Sequence, residues 1–431
     1  MTESEICQQL ERRRRNVADL WNLGDEIILV GAGELITIPG RGDRTYPFRS
    51  HSEYFYLTDR ERPGGILAFD PQAGWIDFVD PVSESEMLWS GAEGVEQGVP
   101  EGALPLGELG AWLEARRGRR IACLGVPVAT SDAPLVTDVR HALNHVRRAK
   151  DSVELDRMRN AERATSAGFA TVAALIYPGR TERELQIELE AEFFRKGGDF
   201  LAFETIVAGG PNTAVLHFAP TARPFAEGEL VLIDAGAEYR GYANDITRTY
   251  PASGHFTREQ AELHSLVRDV NIAATQRCNP GTEWKEVHRT AALVIAEGLV
   301  DFGLLRGQPE SLVGRGTVSL FFPHGIGHMV GLGIRDAGEI LDGSNAREPG
   351  FPPLRVQLPL SPGHVFTIEP GVYFVPAILN NAERRDQHRD AVDWDRVDRM
   401  IGFGGIRIED NVLVTENGWE VLTADVPVGD F

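Results

Sequence analysis

Four acidic residues recur in matched settings far apart in this chain of 431 residues. The run Gly228-Glu229-Leu230-Val231-Leu232-Ile233-Asp234-Ala235-Gly236 aligns without a gap with Gly363-His364-Val365-Phe366-Thr367-Ile368-Glu369-Pro370-Gly371. Each reads as a glycine, an apolar strand, an acid, one residue and a glycine turn. Downstream, Gly241 leads Asp245 by four positions and Gly405 leads Glu409 by four. Asp234 therefore matches Glu369, and Asp245 matches Glu409. Two carboxylates from each half, converging on a shared axis, would set four negative charges in a partly buried cleft, where they would repel and take up protons. Bound divalent cations resolve that conflict, and oxygen-rich donors with one imidazole suit manganese, cobalt or zinc. Two such ions can share carboxylates and a hydroxide, a template for hydrolysis at neutral pH. The imidazole candidates lie in Phe322-Pro323-His324-Gly325-Ile326-Gly327-His328-Met329. Two glycines between the histidines favour a loop or strand over a helix, and the glutamate of a helical HExxH site is absent. One histidine as ligand and the other beside it is the expectation, although either alone would read as a structural histidine.

Such a site needs two matched sets of elements. A helix of about 25 residues ends at Tyr177-Pro178-Gly179, and Thr181-Glu182-Arg183-Glu184 opens another with capping-box spacing. A second helix ends at Asn279-Pro280-Gly281, and Thr282-Glu283 starts its successor. Together with the paired acids, this points to a pseudo-twofold catalytic domain over 149–431. Residues 1–148 read as a separate α/β lobe. It has a helix to Trp21, strand-like runs at Ile27–Val30, Gly65–Phe69, Trp75–Val79 and Arg120–Leu124, and a helix near Leu106–Ala115. Two domains also suit the length.

A formal charge of −21 argues against a nucleic-acid binder. The basic run Arg12 to Arg15 interrupts an apolar stripe and reads as a solvated helix face. No stretch approaches the ~18 apolar residues of a spanning helix, so no membrane role is expected. The polar start of the chain lacks an apolar signal core, so a cytoplasmic setting is expected. Cys7, Cys123 and Cys278 are too few and scattered for a disulfide framework or a thiolate zinc site.

The motifs Ile233-Asp234-Ala235-Gly236, Asn244-Asp245-Ile246-Thr247-Arg248-Thr249, His324-Gly325-Ile326-Gly327-His328, Thr367-Ile368-Glu369-Pro370-Gly371 and Gly405-Ile406-Arg407-Ile408-Glu409-Asp410 resemble the pita-bread metallopeptidases. That family includes methionine aminopeptidase, aminopeptidase P and prolidase. Pro47-Phe48-Arg49 and Ser52-Glu53-Tyr54-Phe55-Tyr56-Leu57-Thr58 resemble the creatinase/prolidase-like N-terminal lobe that the last two carry. The resemblance implies an α/β N-terminal lobe plus an α+β pita-bread domain, two divalent metals with manganese foremost, and a homodimer. It implies that Asp234 holds one metal and His328 with Glu369 the other, with Asp245 and Glu409 bridging. A bridging water or hydroxide would attack the scissile carbonyl with Glu369 as proton acceptor. His217 and His324 match histidines near the substrate, and Arg407 matches an arginine expected to steady a bridging carboxylate.

Arg355, fourteen residues before Glu369, stands where prolidases hold the free carboxylate of a dipeptide, a task that suits a guanidinium. The long charged segment between Tyr373 and Gly404 also resembles prolidases. The expectation is an Xaa-Pro dipeptidase acting on proline-containing dipeptides. The alternatives are an aminopeptidase that removes the residue before proline, and a non-catalytic binding protein of this fold. Two positions depart from the family. Arg335, seven residues after His328, replaces a histidine, and as a substrate-binding residue it could donate hydrogen bonds but not relay protons. Phe203, fourteen residues before His217, replaces a tyrosine and lacks its hydroxyl.

Overall fold

The computed structural model describes residues 2–90, 99–338 and 348–428, and the chain forms two compact units, residues 1–147 and 148–431. In the first unit, apolar five-residue runs pair into a sheet. Its strand order is Gly74–Phe78, Ile66–Asp70, Ile27–Gly31 and Ile121–Gly125, with only the last pair parallel. The helix Glu3–Trp21 opens on a capping box made by Thr2 and Glu5. It corrects the solvated reading of the basic run in part: Arg12 and Arg15 are exposed as expected, and the two arginines between them are not. Arg13 is buried with its guanidinium over the Tyr56 ring, and Arg14 donates to the Leu57 carbonyl at 2.8 Å. Long arginine stems cover apolar surface while their heads find carbonyls and aromatic faces. Helices Ser52–Thr58, Glu84–Ser90, Leu109–Glu114 and Ala133–Arg148 are this unit's other α-helices among the described residues.

The second unit states its order twice. Helices Ser152–Ala173 and Glu182–Arg195 precede three antiparallel strands, Ile206–Gly209, Leu230–Ala235 and Ile246–Pro251. Helices Arg258–Gln276 and Trp284–Asp301 then precede Val365–Ile368, Asp410–Thr415 and Gly418–Val421, again antiparallel. The capping box of Thr181 with Glu184 forms as its spacing predicts. The matching start at Thr282-Glu283 does not cap through a side chain; the backbone there bridges to Pro359 instead. The halves also differ in strand order. The strand carrying Asp234 is central in its sheet, whereas the strand preceding Glu369 lies at an edge. Trp284, fully buried and stacked on Phe366 at 4.6 Å, ties the second helix pair to its sheet.

The charged run between Tyr373 and Gly404 folds as short helices, Pro376–Leu379, Ala382–Gln387 and Trp394–Met400. Leu379, Val392, Val397 and Met400 enter the core cluster. Among the described residues no helix is long and apolar enough to cross a membrane.

Candidate active site

The acids meet because glycines let the backbones that carry them touch. Asp234 lies opposite Thr247 in the ladder between Leu230–Ala235 and Ile246–Pro251. Beyond it, a Cβ on Gly236 would lie 1.7 Å from the Asn244 carbonyl oxygen, so only glycine permits the approach that brings Asp245 alongside. In the other half, Glu369 N–H donates to the Ile326 carbonyl and Thr367 N–H to that of His328, both at 2.8 Å. The histidine segment is thereby stitched to the strand Val365–Ile368. Gly327 permits it, since a Cβ there would lie 1.9 Å from the Thr367 carbonyl oxygen. Glu409 joins the halves, its N–H donating to the Thr247 carbonyl at 3.0 Å.

Ligand atoms of Asp245, His328 and Glu409 lie within 4.8 Å of one another. His328 Nε2 stands 3.5 Å from Asp245 Oδ2 and 4.0 Å from Glu369 Oε1. Its Nδ1 faces the Met329 carbonyl at 3.0 Å. A carbonyl only accepts, so Nδ1 carries the ring proton and Nε2 aims its lone pair at the carboxylates. Burial, with Asp234 and Glu369 close by, pushes the Asp245 carboxyl well above the usual carboxylate range. Burial and the charges of Asp245 and Glu369 do the same to Glu409. Burial also raises Glu369, against the pull of His328 and Arg407. Asp234 Oδ1 is buried with no hydrogen-bond donor. Anions and a lone pair facing one another across a buried space are what a divalent cation relieves, and this donor set fits one.

Arg407 departs from its expected place. Its Nη2 donates to Asp234 Oδ2 at 2.5 Å rather than to either carboxylate expected to bridge. The reason is that the strand Gly405–Arg407 packs against Leu230–Ala235. Glu409 is reached only through Thr247, whose Oγ1 accepts from Arg407 Nε at 3.0 Å and donates to Glu409 Oε2 at 2.7 Å. Although burial opposes its charge, Tyr373, Asp234 and Glu409 hold the Arg407 proton firmly. Arg407 Nη1 donates to the Tyr373 hydroxyl at 3.0 Å, which lies 3.0 Å from His324 Nε2. His324 Nδ1 faces the Gly325 carbonyl at 2.9 Å, so the tyrosine donates to Nε2. Burial and then Arg407 lower His324 to about 4, and burial pushes Tyr373 up to about 12. Sequence reasoning assigns no role to Thr247 or Tyr373. Alternation along a strand gives no signal for them, because Asp245 precedes the strand Ile246–Pro251 and Glu369 falls between Val365–Ile368 and Gly371–Tyr373.

All five donors line one cavity of about 810 Å³ with Arg407, His217, His324, Arg335, Arg355 and Phe203. The structure therefore brings every sequence-derived candidate together, and none of the Tyr373-to-Gly404 segment lines it. Its packing into the core, away from the cleft, removes it as a guide to substrate. The loop carrying His217 hangs on Glu182, which is fully buried. The Glu182 carboxylate accepts from Gly209 N–H, Asn212 Nδ2, Thr221 N–H and Thr221 Oγ1 at 2.6 to 3.1 Å. Glu182→Ala strands the buried Gly209 N–H and loosens Asn212 and the exposed Thr221, which can turn to water; a buried orphan costs about 1–3 kcal/mol. The expected outcome is a large drop in the urea midpoint together with reduced activity; an unchanged midpoint would contradict it.

Comparison with known proteins follows the same division. The profile of metallopeptidase family M24 matches residues 156–416, and that of the aminopeptidase P N-terminal domain matches residues 10–101. A Paracoccidioides lutzii protein described as a probable Xaa-Pro aminopeptidase is 31% identical over 426 residues, covering 93% of this chain and 90% of its own. The structure of Pseudomonas aeruginosa aminopeptidase PepP superimposes with a TM-score of 0.79 at 29% identity, covering 97% of this chain and 95% of that one. Escherichia coli aminopeptidase P with the inhibitor Pro-Leu gives a TM-score of 0.78 at 27% identity with the same coverage.

Proposed function

The chain belongs to metallopeptidase family M24, and from that membership we propose that it is an Xaa-Pro aminopeptidase, which frees the residue preceding proline at the N-terminus of a peptide. One observation carries the choice. Relatives aligned across both units bear aminopeptidase names, and one of them takes Pro-Leu, a proline followed by a further residue. An enzyme that leaves such a product must keep space beyond the proline ring, and the cavity here is large for a dipeptide.

Asp234, Asp245, His328, Glu369 and Glu409 would hold two divalent cations, manganese foremost in this reading. When bound, these supply Lewis-acid polarisation of the scissile carbonyl and make water acidic enough to attack at neutral pH. The remaining steps belong to the chain's own groups. Arg407 fixes Asp234 and, through Thr247, Glu409. Glu369, beside His324 at 3.7 Å, is placed to accept the proton released on attack. His324, kept neutral by burial, has both ring nitrogens engaged by Gly325 and Tyr373 and so borders the substrate space beside His217 as a fixed wall. The intact donor set disfavours a non-catalytic role.

The Xaa-Pro dipeptidase reading keeps one specific support, Arg355 on the cleft wall. Ala-Pro and Ala-Pro-Ala, each assayed with manganese, cobalt and zinc, separate the two. The expected result is release of alanine from Ala-Pro-Ala. Cleavage of Ala-Pro with Ala-Pro-Ala left intact would reverse the proposal.

A further inference from the structure

We propose that Arg335, which lines the same cleft as Arg355, makes the enzyme select peptides with a free carboxylate close to the proline, so that short peptides with an ionised C-terminus are preferred over amidated ones. The proposal rests on the Xaa-Pro reading above and adds a substrate class to it.

The first support is how firmly Arg335 is placed. Its neighbour Asp336 is not available to it, because Asp336 Oδ2 pairs with Lys150 Nζ at 2.6 Å in a site where both side chains have 1% exposure or less. The surroundings are tight: a Cβ on Gly331 would lie 2.5 Å from both Asp336 Oδ2 and Lys150 Cε. The backbone is tied on both sides of Arg335. Gly333 N–H donates to Gly241, Asp336 N–H to Met329 and Ala243 N–H to Gly331, at 2.9 to 3.1 Å. Arg148 Nε holds the Ala337 carbonyl at 3.0 Å. A buried ion pair of this kind costs desolvation and is weak evidence for stability. Its position, one residue from a cleft-lining arginine, gives it a positioning use.

The second support is the company Arg335 keeps. Arg335 and Arg355 line the same cavity as the five metal donors, and among the described residues neither has an ion pair or hydrogen bond. Their charges are felt at the same centre: both weigh on His328, and Arg335 weighs on Arg355. Two like charges in one cleft, with Glu369 acting on Arg355 but no acid bonded to either guanidinium among the described residues, form a receptor for an anion. A chain of net charge −21 otherwise repels carboxylates. A guanidinium cannot relay protons, so binding is the role open to it. Both arginines are exposed to solvent, which weakens the contact by screening.

The test compares Ala-Pro-Ala with Ala-Pro-Ala-amide on the metal-loaded enzyme, and calorimetric binding of Pro-Ala with that of Pro-Ala-amide. The wild type is expected to favour the acid over the amide by roughly tenfold in kcat/KM, the worth of one partly screened charge-assisted contact. Arg335→Met should bring that ratio to within about twofold of one, Arg335→Lys should retain part of it, and Asp336→Asn should lower it through KM rather than kcat. Arg389→Met, at an exposed site that is not part of the cleft lining, should leave the ratio unchanged. An acid-to-amide ratio near one in the wild type, or one that survives Arg335→Met, overturns the proposal. If neither tripeptide is cleaved while Ala-Pro is, the aminopeptidase reading fails and calorimetry still decides the anion preference. An additional Ala-Pro-Glu-Ala-amide arm tells a side-chain carboxylate from a C-terminal one.

Discussion

An Asp245→Asn variant is expected to lose well over a hundredfold in kcat/KM on Ala-Pro-Ala while remaining folded. Loss of a residue that merely orients a metal ligand costs about 10–100-fold, and Asp245 is at the centre of the donor set, close to Asp234, His328 and Glu409. The same substitution has a second, opposite effect. It removes one of the charges whose repulsion, added to burial, pushes Asp245 and Glu409 upward. In chelator the variant should therefore melt higher than the wild type, although it is inactive. Activity, metal content by plasma emission and melting by calorimetry check the pair of signs. A variant that retains activity with full metal content contradicts the assignment of Asp245.

Removing divalent metal from the wild type is the second large effect, and its pH dependence has a definite sign. Asp245, Glu369 and Glu409 have folded-state values raised by burial and by one another. Raised carboxyl groups favour the fold when protonated. Their contribution is fully present below the unfolded value of about 4 and is lost as pH climbs through the raised values. Chelated protein should thus be less stable at pH 7.5 than at pH 5.5. Metal at a hundred times its dissociation constant adds about 2.7 kcal/mol, several degrees in a unit of this size. At one fixed metal concentration the increment should be larger at pH 7.5, where protons no longer compete for the ligands and the dissociation constant is lower. Scanning calorimetry at the two pH values measures it, and an increment larger at pH 5.5 would contradict the raised carboxyls.

The doubled order of the second unit and the gathering of Asp234, Asp245, His328, Glu369 and Glu409 in one cavity were legible because each rests on local chemistry. A glycine that admits a neighbouring carbonyl, as Gly236 and Gly327 do, leaves a mark in the sequence. So does a capping box such as Thr181 with Glu184. What was not legible depends on which strand lies beside which. Arg407 was expected at a bridging carboxylate and is found on Asp234, because the neighbour of the strand Gly405–Arg407 is set by packing across the halves. Tyr373, Thr247 and Glu182 act through partners 27 or more positions away in sequence, beyond any local pattern. The basic run Arg12 to Arg15 looked solvated because charge alone does not tell whether Tyr56 will sit beneath Arg13. The Tyr373-to-Gly404 segment suggested a dipeptidase by length, yet its side chains serve the core.

The central claim, metal-dependent cleavage of the bond before proline, is tested most directly by one experiment. Purified protein is stripped with chelator, divided, and reloaded or not with manganese, and the products of Ala-Pro-Ala are then identified by mass spectrometry. The expected result is alanine and Pro-Ala in the reloaded sample and intact tripeptide in the stripped one. Equal cleavage in both samples, cleavage after proline, or no cleavage with manganese, cobalt or zinc restored would contradict it.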